Sequence, residues 1–117
     1  MFRITNNKIE LTRGDKAIIT LRVSNYTFKV GDTISFRVYN KGALEKEPLI
    51  TEIVNVNEES ESVSIVLSNI TTKIGEMGNK PVTYWYEISL NNETTVLGFD
   101  DKGGKELILY PEGKDVE

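Results

Sequence analysis

The sequence predicts an all-β domain, an antiparallel β-sandwich of about eight short strands. Three observations carry this reading. One stretch, residues 80–91, alternates apolar and polar side chains over its whole length. Other short alternating runs follow one another at regular spacing, separated by Gly- and Asn-bearing turns. No segment has the roughly 10–15-residue amphipathic pattern that a helical crossover between parallel strands needs.

The alternating stretch organises the rest. Val82, Tyr84, Tyr86, Ile88 and Leu90 are apolar or aromatic, while Thr83, Glu87 and Ser89 between them are polar. A period of two places these sets on opposite faces of a strand, one facing a core and one facing out. Trp85 breaks the rule by falling on the polar face. Pro81 stands at the strand's start, where a missing N–H costs least.

Taken in order, residues 2–5 and 8–12 read as two extended segments joined by a tight Asn6-Asn7 turn. Arg13-Gly14-Asp15 is a second turn, and residues 16–23 alternate, with Ile18 interrupting the polar face. Residues 24–32 form a loop that keeps Tyr26, Phe28 and Val30 against the core. Residues 33–39 are a strong strand with Ile34, Phe36 and Val38 inward and Ser35, Arg37 and Tyr39 outward. Residues 40–48 are a polar loop. Residues 49–56 and 62–67 are strands joined by a charged turn. Ser68 or Asn69 is placed to cap one short helical turn that Gly75 would stop. Asn91-Asn92-Glu93 turns the chain into residues 94–99, where Gly98 would mark a bulge. Residues 105–110 are the last strand, apolar on both faces and so expected to be covered on both. Residues 1–111 are read as a single domain and 112–117 as a mobile tail.

Composition narrows the function classes. At 117 residues, 38% hydrophobic and 27% charged, the chain suits one globular domain. It has no Cys and no His, which removes disulfides, thiolate metal sites, the commonest general base and the ordinary pH switch. Its 14 basic residues are scattered among 18 acidic ones, for a net charge of −4, so nucleic-acid binding is not expected. No run of signal-peptide or membrane-spanning length appears, and neither export by such a signal nor membrane insertion is expected.

Candidate chemistry is sparse. Arg13-Gly14-Asp15 spells a tripeptide used in integrin recognition, but a polar hairpin turn explains it with less. Three Asn-x-Thr triplets, at Asn25, Asn69 and Asn92, read as turn and cap residues. Asp100-Asp101 with Glu93 or Glu106, and the acidic run 58–61, lack the ordered spacing of a calcium loop. No histidine base, Ser-x-x-Lys pair or glycine-rich phosphate loop is present, so no catalytic residue, cofactor or metal ligand is assigned and no enzymatic activity is expected. Trp85, flanked by Thr83 and Glu87, is the most informative side chain. Either a loop or the chain's own tail covers it, or it belongs to a protein–protein contact that Tyr39 extends.

Two stretches together carry a resemblance. Glu10-Leu11-Thr12-Arg13-Gly14-Asp15 before an alternating strand is similar to the opening of N-terminal domains in phage upper-baseplate and related tail proteins. Residues 64–67, Asn69-Ile70-Thr71-Thr72-Lys73 and Tyr84-Trp85-Tyr86-Glu87-Ile88 resemble later parts of the same family, so the likeness spans about residues 4–111. It implies an immunoglobulin-like sandwich of about seven to eight strands, a structural part of a phage or prophage tail. Such a subunit would be made in the bacterial cytoplasm and built into the particle, docking on other structural subunits as a homo-oligomer or hetero-assembly. The short chain fits an accessory or adaptor subunit. The alternative class is a carbohydrate-binding or adhesin-type module, with Trp85 stacked on a sugar ring and the acidic turns holding calcium.

Overall fold

The computed structural model describes residues 1–43, 46–75, 78–98 and 103–112. Among these residues nine strands follow in chain order: β1 (Phe2–Thr5), β2 (Lys8–Thr12), β3 (Ala17–Leu21), β4 (Thr33–Asn40), β5 (Ile50–Asn55), β6 (Val63–Leu67), β7 (Val82–Leu90), β8 (Thr94–Leu97) and β9 (Lys105–Tyr110). Seven form one sheet in the order β1-β2-β9-β7-β4-β5, with β8 paired to β7. The other two, β3 and β6, form a second sheet. The result is a sandwich-like all-β fold with nine strands among the described residues, against about seven to eight expected.

Asn side chains set its two tightest reversals. Asn6 and Asn7 have φ of 51° and 66°, and Asn91 and Asn92 have 53° and 55°. Asn tolerates this left-handed region, which a right-twisted hairpin requires at both central residues of its turn. The Thr5–Lys8 and Leu90–Thr94 registers follow from those turns.

Along β7 burial alternates from Thr83 to Ile88, whereas Val82 is exposed and Ser89 buried. Tyr84, Tyr86 and Ile88 are buried, while Thr83, Trp85 and Glu87 on the other face are half-buried. The core joins them to Ile9 and Leu11 of β2, Ile34, Phe36 and Val38 of β4, and Leu107 and Leu109 of β9. The second sheet faces these with Ala17, Ile19, Leu21, Val63, Ile65 and Leu67. Phe36 and Tyr86 stack with centroids 5.5 Å apart. Full burial of side chains of this size contributes roughly 1.5–3 kcal/mol each. From the 24–32 loop, Phe28 enters the core and Tyr26 packs against it, but Val30 is exposed.

Three expectations are corrected. The sheet is mixed, because β2 and β9 pair in parallel from Ile9↔Leu107 to Thr12↔Tyr110. No helical crossover is needed, since the chain from β3 to β8 itself makes the connection. The expected helical turn is present: Ser68 Oγ caps it by accepting from the Thr71 N–H at 3.1 Å, and the Ser68 carbonyl accepts from the Thr72 N–H at 3.1 Å. It is too short to be a helix, and no helix occurs among the described residues. The bulge lies before Gly98: Ile88 pairs with Leu97 and Ser89 with Thr95, which leaves Val96 as the extra residue. Finally, β9 is fully buried on one face only: Leu107 and Leu109 are buried, while Ile108 and Tyr110 on the other face are half-buried.

Candidate functional site

Cross-strand register builds the outer face of the large sheet around Trp85. Tyr39 pairs with Trp85, which pairs with Glu106, and Arg37 pairs with Glu87. Tyr39 faces outward as read, yet only 6% of it is accessible, which corrects its role as an exposed anchor. Its hydroxyl donates to Glu87 Oε1 at 3.1 Å, and burial followed by the Glu87 charge raises its pKa. Thr83 and Glu87 flank Trp85 as expected, half-buried, and Glu87 is taken up by this hydrogen bond.

Trp85 is sheltered by its own chain. Gly104 lies against the indole so closely that an added Cβ would overlap three atoms of the ring system. What remains open is a depression of about 390 Å³ lined by Asn6, Asn7, Lys8, Lys41, Trp85 and the Gly103–Glu106 segment. A second depression of about 400 Å³, lined by Arg3, Thr5, Asn6, Lys8 and Glu10, adjoins it through Asn6 and Lys8. Arg3 reaches Glu10 through two nitrogens, at 3.0 and 3.3 Å, and the Tyr110 hydroxyl donates to the same carboxylate at 2.6 Å. Those hydrogen bonds, Arg3 first, hold the Glu10 carboxyl below its ordinary pKa.

The Thr12-Arg13-Gly14-Asp15 turn is a junction. Arg13 N–H donates to the Tyr110 carbonyl, and Gly14 N–H donates to Thr72 Oγ1 at 3.1 Å. Thr72 Oγ1 donates in turn to the Asp15 carbonyl at 2.8 Å, and the chain's amino terminus pairs with the Asp15 carboxylate at 2.8 Å. Glu112 sits 3.8 Å from Arg13 and 3.6 Å from Lys73, so the expected tail begins with an ion-paired residue; 113–117 lie outside the described residues.

A third surface lies on the inner face at the β1 edge. The register Phe2↔Leu11↔Leu109↔Val82 runs straight across four strands. Its middle is dry, Leu11 at 0% and Leu109 at 4% exposure, whereas Phe2 is 37% and Val82 44% exposed. Ile4, one pleat along, is 43% exposed. Among the described residues the second sheet has two strands, and Phe2, Ile4 and Val82 on the flank of the seven-stranded sheet stay exposed.

Sequence reading missed Asn6, Asn7, Lys8, Lys41 and Gly104 as neighbours of Trp85. The Asn-Asn pair was legible as a turn, but its place beside the indole follows from the β2–β9 pairing. Asp100 and Asp101, weighed as calcium ligands, lie outside the described residues, and among the described residues no three metal-ligating side chains converge. The fold and these surfaces define the class: a sandwich-like all-β domain. Compared with known proteins, the chain matches no family model, no curated protein and no solved structure.

Proposed function

We propose that this chain is a structural assembly subunit of a phage or prophage tail particle, acting by docking on neighbouring subunits without chemistry of its own. The observation that carries the docking is the β1 flank, where the apolar row beginning at Phe2 and Ile4 meets the unpaired outer backbone edge of the sheet. An open edge strand is a template for a strand from another chain, and the apolar side chains beside it supply the burial that holds the added strand. A stable contact needs on the order of 1,000 Å² or more, so the arriving subunit covers both the edge and the inner flank. The placement in a tail particle, and the immunoglobulin-like reading of the sandwich, rest on the likeness of the Thr-Arg-Gly-Asp turn and the Tyr-Trp-Tyr-Glu-Ile strand to upper-baseplate domains.

The test is light scattering over a concentration series, with the wild-type chain beside Ile4→Glu and Phe2→Glu. Both positions are already exposed, so the variants should fold. Concentration-dependent association that these variants abolish is the expected result. Association that survives both variants removes the β1 flank as the contact, and a wild-type chain that associates neither with itself nor with tail particles overturns the assembly role.

A further inference from the structure

The outer face carries a second surface of different chemistry, the paired depressions around Trp85. We infer that this groove binds a short acidic saccharide, with Trp85 as the stacking platform.

The two depressions, about 390 and 400 Å³, adjoin at Asn6 and Lys8, which line both. Each has the volume of a small-ligand site. Charge in the groove runs against that of the whole chain. Among the described residues Arg3, Lys8, Lys41 and Lys105 line it with Glu10 and Glu106, Arg3 being paired with Glu10, in a protein of net charge −4. Lys8 and Lys41 form no salt bridge with any described residue, so two ammonium groups stand at the lip in reach of a ligand anion. Asn6 and Asn7 bring two amides to the same lip, each able to donate and accept.

These groups suit a sugar acid. The aliphatic face of a pyranose packs on the half-open indole, its hydroxyls exchange hydrogen bonds with the Asn amides, and its carboxylates meet the lysines. A nucleic-acid strand fits less well, because single strands are held by successive aromatic platforms along a basic track. Here one indole serves, and Gly104 already occupies part of its surface. Gly104 also fixes the ring, so little side-chain freedom is lost when a ligand arrives.

Trp85 is the sole tryptophan, so its emission reports on this groove alone. The experiment titrates the full chain with trigalacturonate, with neutral maltotriose and an oligothymidylate as comparisons. Expected is a saturable change with trigalacturonate, weakened roughly tenfold or more by Lys8→Glu combined with Lys41→Glu, and no change with maltotriose. Both lysines are exposed, and circular dichroism of the double variant confirms that it folds. No saturable response to trigalacturonate overturns the inference, as does an equal response to maltotriose. A response to oligothymidylate alone would reassign the groove to nucleic acid. The β1 variants leave this titration unchanged, so failure here is distinct from failure of the assembly contact.

Discussion

Arg13 Nε donates to the main-chain carbonyl of Ile74 at 3.1 Å, tying together residues 61 positions apart. Its Nη2 serves the carbonyls of Lys73 and Gly75 at 3.2 and 3.3 Å, so one guanidinium gathers three consecutive peptide oxygens. The arginine of the Arg-Gly-Asp tripeptide is thus a clamp on the 73–75 loop, and its aspartate holds the amino terminus.

Arg13→Lys keeps the charge but loses the fork geometry that reaches several acceptors at once. We expect a loss of about 1.5–3 kcal/mol, the usual range for hydrogen bonds to a charged group. Urea denaturation measures it. An unchanged midpoint would show that the clamp contributes nothing.

Asp32 joins the 26–32 loop to the β7–β8 turn. Its carboxylate accepts from the Lys29 N–H at 2.9 Å, the Tyr26 hydroxyl at 2.6 Å and the Asn91 amide at 3.1 Å. These bonds, the backbone one first, lower its pKa from 3.8 to about 2. A depressed carboxyl stabilises the fold above its unfolded pKa, and that stability drains away as pH falls from about 3.8 through about 2. Acid unfolding should steepen in this window, and Asp32→Asn should flatten it while lowering stability at neutral pH. Parallel acid limbs for the two proteins would refute the linkage.

Tyr86 behaves oppositely at high pH. Burial pushes its phenol from 10.0 up to about 12, and its hydroxyl donates to the Asn7 carbonyl at 2.5 Å. The folded state holds this proton more tightly, so its contribution is intact below about pH 10 and lost as pH rises toward 12. In an ultraviolet titration, Tyr86→Phe should remove a phenolate step near pH 12 and cost about 0.5–1.5 kcal/mol at neutral pH. A missing step nearer 10 would contradict this.

Gly104→Ala tests the seat of the indole. The added methyl overlaps the Trp85 ring and should move it toward solvent, shifting its emission to the red and costing about 1–3 kcal/mol. Gly103→Ala is the control. Nothing lies near its Cβ position, so it strains only the backbone at φ 105° and should leave the emission in place. Equal shifts in the two variants would mean that Gly104 does not seat the ring.

Much of the fold could be read from the sequence because it rests on local chemistry. The alternation in β7 and β4, and the Asn pairs at residues 6–7 and 91–92, are properties of neighbouring residues. The parallel β2–β9 register is a property of segments at opposite ends of the described chain, and no local pattern records it. Tyr39 shows the same limit. Period two gave its face correctly, but whether that face is covered depends on neighbours brought in by the sheet. Cover over Trp85 by a loop was one of two readings that the sequence left open, while Gly104 itself became recognisable only through the register that sets Trp85 beside Glu106. Arg13 was read as a turn residue because its three acceptors lie in a loop whose proximity the sequence does not encode locally.

The parallel pair also sets a timetable for synthesis. Ile9 and Leu11 leave the ribosome early, but Leu107 and Leu109, which flank them in the finished sheet, are among the last described residues to emerge. At translation rates of about 5–20 residues per second, that apolar stripe waits roughly five to twenty seconds on the nascent chain. The early hairpin therefore cannot be completed in stepwise fashion as the polypeptide lengthens, and it stays open to chaperones or to another copy's strand until the last one arrives.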